Sequence, residues 1–199
     1  MITALFLMLF AASFASAQEK GQVGLGMGYP GSVLLLWHVT DNIAVRPEIA
    51  FSTSGTDTGS VTGSGWSYGV GVSGLLYAGK WESLRTYVSP RFTYNRSSST
   101  TTTNLLSPNV IGLPPPSVSF SSSTKSTATN KRGGGSFGAQ YAVHKRFSVF
   151  GEVGLDYSRG ESSFTSTFSP AVAALPSTTT TGSSSGWSSR SAAGVIFYF

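Results

Sequence analysis

The segment that most constrains this chain is Gly186 to Phe199, GWSSRSAAGVIFYF. Every second residue gives Trp187, Ser189, Ser191, Ala193, Val195, Phe197 and Phe199. The alternate set is Ser188, Arg190, Ala192, Gly194, Ile196 and Tyr198. A period of two belongs to a strand whose faces meet different surroundings. One face ends in aromatic rings, and the segment's only charge, Arg190, lies on the other. In water, such an edge invites aggregation. A closed barrel in a bilayer has no open edge, and lipid accepts the rings. This reading requires further strands with the same two faces.

Such strands are expected at Gln22–Tyr29, Ser32–Val39, Asn42–Phe51, Gly65–Ala78, Leu84–Asn95, Gly133–His144 and Phe147–Ser158. With the closing segment they make eight. The connections Thr40–Asp41, Gly79–Ser83 and Lys145–Arg146 are short, whereas Ser52–Ser64, Arg96–Arg132 and Arg159–Ser185 are long. An even-stranded up-and-down barrel alternates in this way, with tight turns on one side and long loops on the other. The Tyr29-Pro30-Gly31 hairpin is the short exception on the loop side.

Charge parity agrees with this threading. Arg46, Glu48, Arg85, Arg91, Glu152, Asp156 and Arg190 all avoid the apolar face of their strands. A lipid-facing Arg or Lys costs about 2–4 kcal/mol at mid-depth, whereas inside a barrel opposite charges pair. A soluble sandwich alternates too, so the aromatic residues decide. Tyr29, Phe51, Trp66, Tyr68, Tyr94, Phe137, Tyr157 and Trp187 are expected near the loop ends, and Trp37, Tyr141, Phe147, Phe197 and Phe199 near the turn ends. Two aromatic belts around an aliphatic band mark a membrane barrel. The fold class expected is all-β: an eight-stranded antiparallel up-and-down transmembrane β-barrel. Pro47 and Pro90 each remove a ladder donor and are expected to mark a bulge or a broken ladder.

Residues 1–17 form an apolar block closed by Ala15-Ser16-Ala17. Small residues at Ala15 and Ala17 suit signal peptidase, so residues 1–17 read as a signal peptide and 18–199 as the barrel domain. Beyond the block the longest apolar run is Val33 to Trp37, far too short for a membrane helix. The formal charge of +5 is scattered rather than clustered, which argues against nucleic-acid binding. The absence of cysteine excludes disulfides and thiol catalysis.

The glycine patterns at Gly26–Gly31 and Gly69–Gly74 match a dinucleotide fingerprint, but no helical pattern follows either one. Their glycines read as small inward residues that leave room for larger side chains opposite. His38 and His144 adjoin the short turns without a serine and carboxylate arranged around them, so they read as rim hydrogen-bonding groups rather than a catalytic base. Two histidines without cysteine make a weak metal set. No catalytic, metal-binding or cofactor-binding residue is expected. The seven inward charges, with Gln22 and Gln140 near them, read as a structural lumen network, because eight strands leave room only for side chains. Asp156 is expected to pair with Arg190.

The Ser/Thr-rich loops 96–132 and 159–185 cannot bury enough apolar surface to offset their ordering entropy, so mobility is expected. Serine and threonine also tolerate strand geometry, which allows the strands to continue as a ribbon. Lys125, Lys131, Arg132 and Arg159 make these loops basic, suited either to solvation or to lipopolysaccharide phosphates.

On VGLGMGYPGSVLLLWHVTDNIAVRPEIAFS, YVSPRFTY, FSVFGEVGLDYS and AGVIFYF, the chain resembles the outer-membrane β-barrel superfamily of the OmpA membrane domain and OmpX-like proteins. The resemblance implies that Val195, Phe197 and Phe199 form an insertion signal read by the barrel assembly machinery. It carries over no peptidoglycan-binding domain. The function expected is that of a non-enzymatic outer-membrane protein of a Gram-negative-type bacterium, with a structural or surface-interaction role through its long loops and an extracellular ligand as a candidate partner. The alternatives are a narrow porin-like channel and a lipid-modifying enzyme.

Overall fold

The structure is a computed structural model that describes residues 20–29, 31–105, 120–169 and 177–199. Residues 1–17, expected as a signal peptide with Ala15 and Ala17 at its cleavage site, and the Pro114–Pro116 run lie outside these residues. Eight strands follow in chain order: β1 (Val23–Tyr29), β2 (Ser32–His38), β3 (Ile43–Asp57), β4 (Val61–Trp81), β5 (Leu84–Leu105), β6 (Phe120–His144), β7 (Phe147–Ser169) and β8 (Thr178–Tyr198). Each pairs antiparallel with its neighbours, and β1 pairs with β8 to close the barrel.

Strand length differs most from the sequence expectation. β3 runs past Phe51 to Asp57, β4 begins at Val61, β5 runs to Leu105, β6 begins at Phe120, β7 runs to Ser169 and β8 begins at Thr178. Most of the long loops is therefore ladder. The physical reason is that antiparallel pairing supplies every backbone partner locally, so Ser and Thr extend a strand without an apolar face to bury. Gly31 and Gly59, at φ 98° and 78°, turn the two tight outer hairpins. Asp57 accepts the Gly59 amide through its carboxylate at 2.9 Å.

Across the barrel proper, side chains alternate between two faces, with register shifts at Tyr77/Gly79 and Ala142/His144. Leu25, Leu35, Ile49, Val72, Val88, Val153 and Phe197 are exposed on the outward face. Leu34, Leu36, Ala44, Leu75, Tyr87, Phe150, Ile196 and Tyr198 are buried inside as one apolar cluster, whose Leu34 and Phe150 also line an open cavity. Two rings fit there because glycine faces them. A Cβ on Gly138 would overlap the ring of Tyr87, and one on Gly194 would overlap Phe150.

Each proline coincides with a ladder gap on one side only. Pro47 partners Val72 of β4, but the pairing to β2 lapses between Glu48 and Val45. Pro90 partners Gly135 of β6, but the pairing to β4 lapses between Arg91 and Val88. A missing N–H removes one bond toward one neighbour, so the sheet stays continuous on the other side. Phe137 departs from the expected belt. It lies between Val88 and Val153, in the aliphatic band, because β6 continues well beyond Gly133 to Phe120.

The first hairpin is much shorter than the rest. β1 and β2 have 7 residues each, and β1 meets β8 only over Ala193–Tyr198. Among the described residues, Thr178–Ala192 of β8 therefore has no partner on that side, and the wall is notched above the hairpin.

Candidate functional site

The lumen is layered. At the short-turn end, His38 closes β2 with its side chain wholly buried. Its ring stacks on Tyr77, centroids 5.6 Å apart, and its Nε2 lies 3.4 Å from the Tyr198 hydroxyl. Gln140 donates to that hydroxyl at 2.5 Å and accepts from the Tyr77 hydroxyl at 2.9 Å. Arg85 sits over the Tyr77 ring at 5.6 Å and donates to the Asp41 carbonyl at 3.4 Å. This layer is aromatic and hydrogen-bonded. His144 ends β6 on the rim, where its Nδ1 accepts the Arg146 amide at 3.3 Å and caps the turn. Among the described residues the histidines contact a tyrosine hydroxyl and a backbone amide, and neither is hydrogen-bonded to a serine. Among the described residues, no three of His, Cys, Asp and Glu come together as a metal site.

Above this layer lies a knot centred on Glu152. Arg46 donates to both carboxylate oxygens, at 2.8 and 3.1 Å, and Arg190 donates at 2.6 Å. Ser136 and Tyr87 add hydroxyl bonds at 3.2 and 3.5 Å. The side chains of Arg46 and Glu152 are 2% and 1% exposed. Burial on this scale is tolerated because the carboxylate receives several donors. A second pair joins Arg91 to Glu48 at 2.5 Å. Arg46 also lies over the Phe150 ring at 5.3 Å, which ties the charged layer to the apolar one.

The expected Asp156–Arg190 pair is not formed. Asp156 stands opposite Ser188, Gly154 opposite Arg190, and Glu152 opposite Ala192. Arg190 is thus equally offset from both acids. It turns toward Glu152, where Arg46, Tyr87 and Ser136 already gather. Asp156 instead lines an outward-opening vestibule of about 350 Å³, with Glu48, Arg91, Arg132, Glu152 and Arg190 also in its wall. The notch above the first hairpin borders this vestibule, since Gly28, Tyr29, Gly31 and Ser32 line it too.

The seven inward charges therefore occupy one lumen but not one cluster. Arg46, Glu152 and Arg190 form the knot, Glu48 and Arg91 a separate pair, Arg85 belongs to the inner layer, and Asp156 to the vestibule. Of the inner layer, sequence reasoning places Gln140 in the lumen and Tyr198 on the face of Arg190, but Tyr77 and Tyr87 do not emerge from it. Their signal is large polar aromatics on the charge-bearing parity, as in Arg85-Thr86-Tyr87.

At the barrel seam, Phe197 and Val195 of β8 stand opposite Leu25 and Met27 of β1. Phe197 packs on Phe147 with centroids 5.0 Å apart, and the Phe199 amide donates to the Val23 carbonyl at 3.1 Å. Outward rings also meet at the opposite end. Trp66 stacks on Tyr68 at 5.7 Å, Tyr68 tilts against Tyr94 at 6.5 Å, and Tyr157 tilts against Trp187 at 5.3 Å.

No protein-family profile and no curated protein sequence matches the chain. Among solved structures, it is similar to a major outer membrane protein from Thermus thermophilus, at 14% identity and a TM-score of 0.53, covering 89% of this chain and 98% of that one. Acinetobacter baumannii CarO aligns at 15% identity with a TM-score of 0.47, over 90% of this chain and 98% of CarO. CarO2 from the same organism aligns at 12% and 0.38, over 89% and 97%. Closed topology, strand count and the first of these likenesses agree: the chain has the fold of an eight-stranded antiparallel up-and-down outer-membrane β-barrel.

Proposed function

We propose that this chain is a non-enzymatic integral protein of the bacterial outer membrane that holds a hydroxyl-rich β-ribbon above the bilayer as an interaction surface. The observation that carries the proposal is the continuation of β5–β8 through their Ser/Thr tracts. A tilted strand needs about 9–11 residues to cross the hydrocarbon layer. β6 has 25 residues, so roughly 14 extend beyond it, or about 35–40 Å of ribbon at a strand tilt near 40°. The exposed aliphatic and aromatic outward face supports residence in lipid. The aromatic layer and the Glu152 knot favour a filled lumen over a channel.

Because the chain lacks cysteine, single introduced thiols can test this topology in intact cells. A bulky maleimide that cannot cross the outer membrane should label Thr167→Cys on the ribbon. It should reach Lys145→Cys, in a short turn, only after permeabilisation. The reverse pattern would sink the proposed orientation. Planar bilayers containing the purified chain should remain electrically silent, and steady single-channel steps would favour the channel reading instead.

A further inference from the structure

The register gathers three cations on the outward face, beside the loop-side aromatic row. Lys131 stands directly opposite both Tyr94 and Arg159, and Arg96 stands opposite Tyr68 and Thr129. Arg96 follows Tyr94 by two residues, which makes it a diagonal neighbour of Lys131 at about 7–8 Å. All three are exposed and share the outward parity of Tyr94 and Tyr157. Like charges opposite one another destabilise a sheet. Among the described residues, none of the three forms an ion pair, whereas the lumen arginines Arg46, Arg91 and Arg190 each have a carboxylate. The basic residues of the loop sequence do not act as one group. Arg132 faces the vestibule, and Lys125 stands six residues farther out along β6.

Two further zones adjoin these cations. On the bilayer side are the exposed side chains of Val153, Leu155, Tyr157 and Trp187. On the far side is a shallow groove of about 610 Å³ lined by Thr127, Thr129, Ser163, Thr181 and Ser183 and edged by Arg159 and Glu161. One strand face thus presents an apolar, then a cationic, then a hydroxyl-rich surface.

We infer that this face of β5–β8 binds a bisphosphorylated glycolipid of the lipopolysaccharide class. The acyl chains lie along Val153 and Leu155, and the phosphates meet Arg96, Lys131 and Arg159 through charge-assisted bonds. The sugar hydroxyls enter the Thr/Ser groove, where the Glu161 carboxylate accepts from them. Three cations and one carboxylate leave a net +2, which complements two phosphates. A phospholipid without sugar would use only the first two zones. The inference rests on the proposed membrane residence.

Native mass spectrometry of the full chain, released from detergent micelles, tests it with three probes: bisphosphorylated lipid A, its monophosphorylated form and phosphatidylglycerol. Retention should fall in that order, with at least about ten-fold between the first and last, equivalent to about 1.4 kcal/mol. The combined variant Arg96→Gln, Lys131→Gln, Arg159→Gln should lose the preference for lipid A, while Lys80→Gln, a cation at the opposite end, should keep it. Millimolar inorganic phosphate should not displace the lipid. Equal retention of phosphatidylglycerol, an unaltered triple variant, or displacement by free phosphate would each overturn the inference. Gel mobility with and without boiling separates the two levels of failure. A heat-shifted, membrane-recovered chain without lipid preference loses only the glycolipid site, whereas a chain recovered outside membranes loses the residence reading as well.

Discussion

Replacing Glu152 with Gln removes the negative centre of the lumen knot while keeping its shape. Arg46 is 2% exposed and has no other carboxylate within ion-pair distance among the described residues, so it becomes a buried unpaired cation. Breaking a buried pair from one side costs about 3–5 kcal/mol. The Gln carbonyl still accepts one bond from Arg46, which restores roughly 1 kcal/mol. Arg190, 13% exposed at the vestibule, regains water and adds little to the cost. The expected loss is therefore about 2–4 kcal/mol. The assay is urea unfolding in lipid vesicles, followed by tryptophan fluorescence and by gel mobility without boiling. The double variant Arg46→Met, Glu152→Leu discriminates between explanations, because replacing both partners by apolar groups is often neutral. It should be more stable than Glu152→Gln alone. If Glu152→Gln unfolds within about 0.5 kcal/mol of the parent, the size of a typical surface change, the knot does not hold the lumen as argued.

Two further perturbations probe the remaining layers. Gly138→Ala should destabilise the barrel by about 1–3 kcal/mol through overpacking against the Tyr87 ring. Adding Tyr87→Leu should recover most of that loss in the same unfolding assay. Val153→Lys places a charge on the outward aliphatic band and should cost about 2–4 kcal/mol. Ser188→Lys at the vestibule wall should leave the unfolding midpoint nearly unchanged, and equal costs for both would contradict the assigned faces.

The two faces are legible wherever a strand separates apolar from polar surroundings. Arg46 and Glu48 against Val45 and Ile49 is such a case, and the structure keeps every one of the seven charges inside. The ribbon is not legible to the same degree. From Ser97 to Asn104 both faces meet water, so the period-two contrast vanishes although the strand continues. Phe137 departs from its expected place for the same reason, since Gly133 marks where the contrast begins and not where the strand does. The partner of Arg190 is hidden by a different cause. Its choice between Asp156 and Glu152 depends on Arg46, Tyr87 and Ser136, which reach Glu152 from β3, β5 and β6. No local spacing carries that information.

A filled lumen, as proposed, has a consequence for where specificity can reside. Eight strands leave an interior only wide enough for side chains, and here rings and ion pairs take the inner part of it. An open interior surface among the described residues is the vestibule, bordered by the notch above the seven-residue strands β1 and β2. That notch exposes an unpaired edge along Thr178–Ala192 among the described residues. An exposed hydrophobic edge would recruit other strands. This one reads TTTTGSSSGWSSRSA, with Trp187 its only large apolar side chain. It therefore offers backbone hydrogen bonds without a burial reward, which makes casual pairing weak. The same composition suits the proposed ribbon to water without aggregation, and on that proposal recognition falls to the few places where charge or aromatic rings interrupt the hydroxyls. On the outward face of β5–β8 that interruption is greatest where Arg96, Lys131 and Arg159 meet the aromatic row, so substitutions there should alter partner choice more than substitutions within the Ser/Thr tracts.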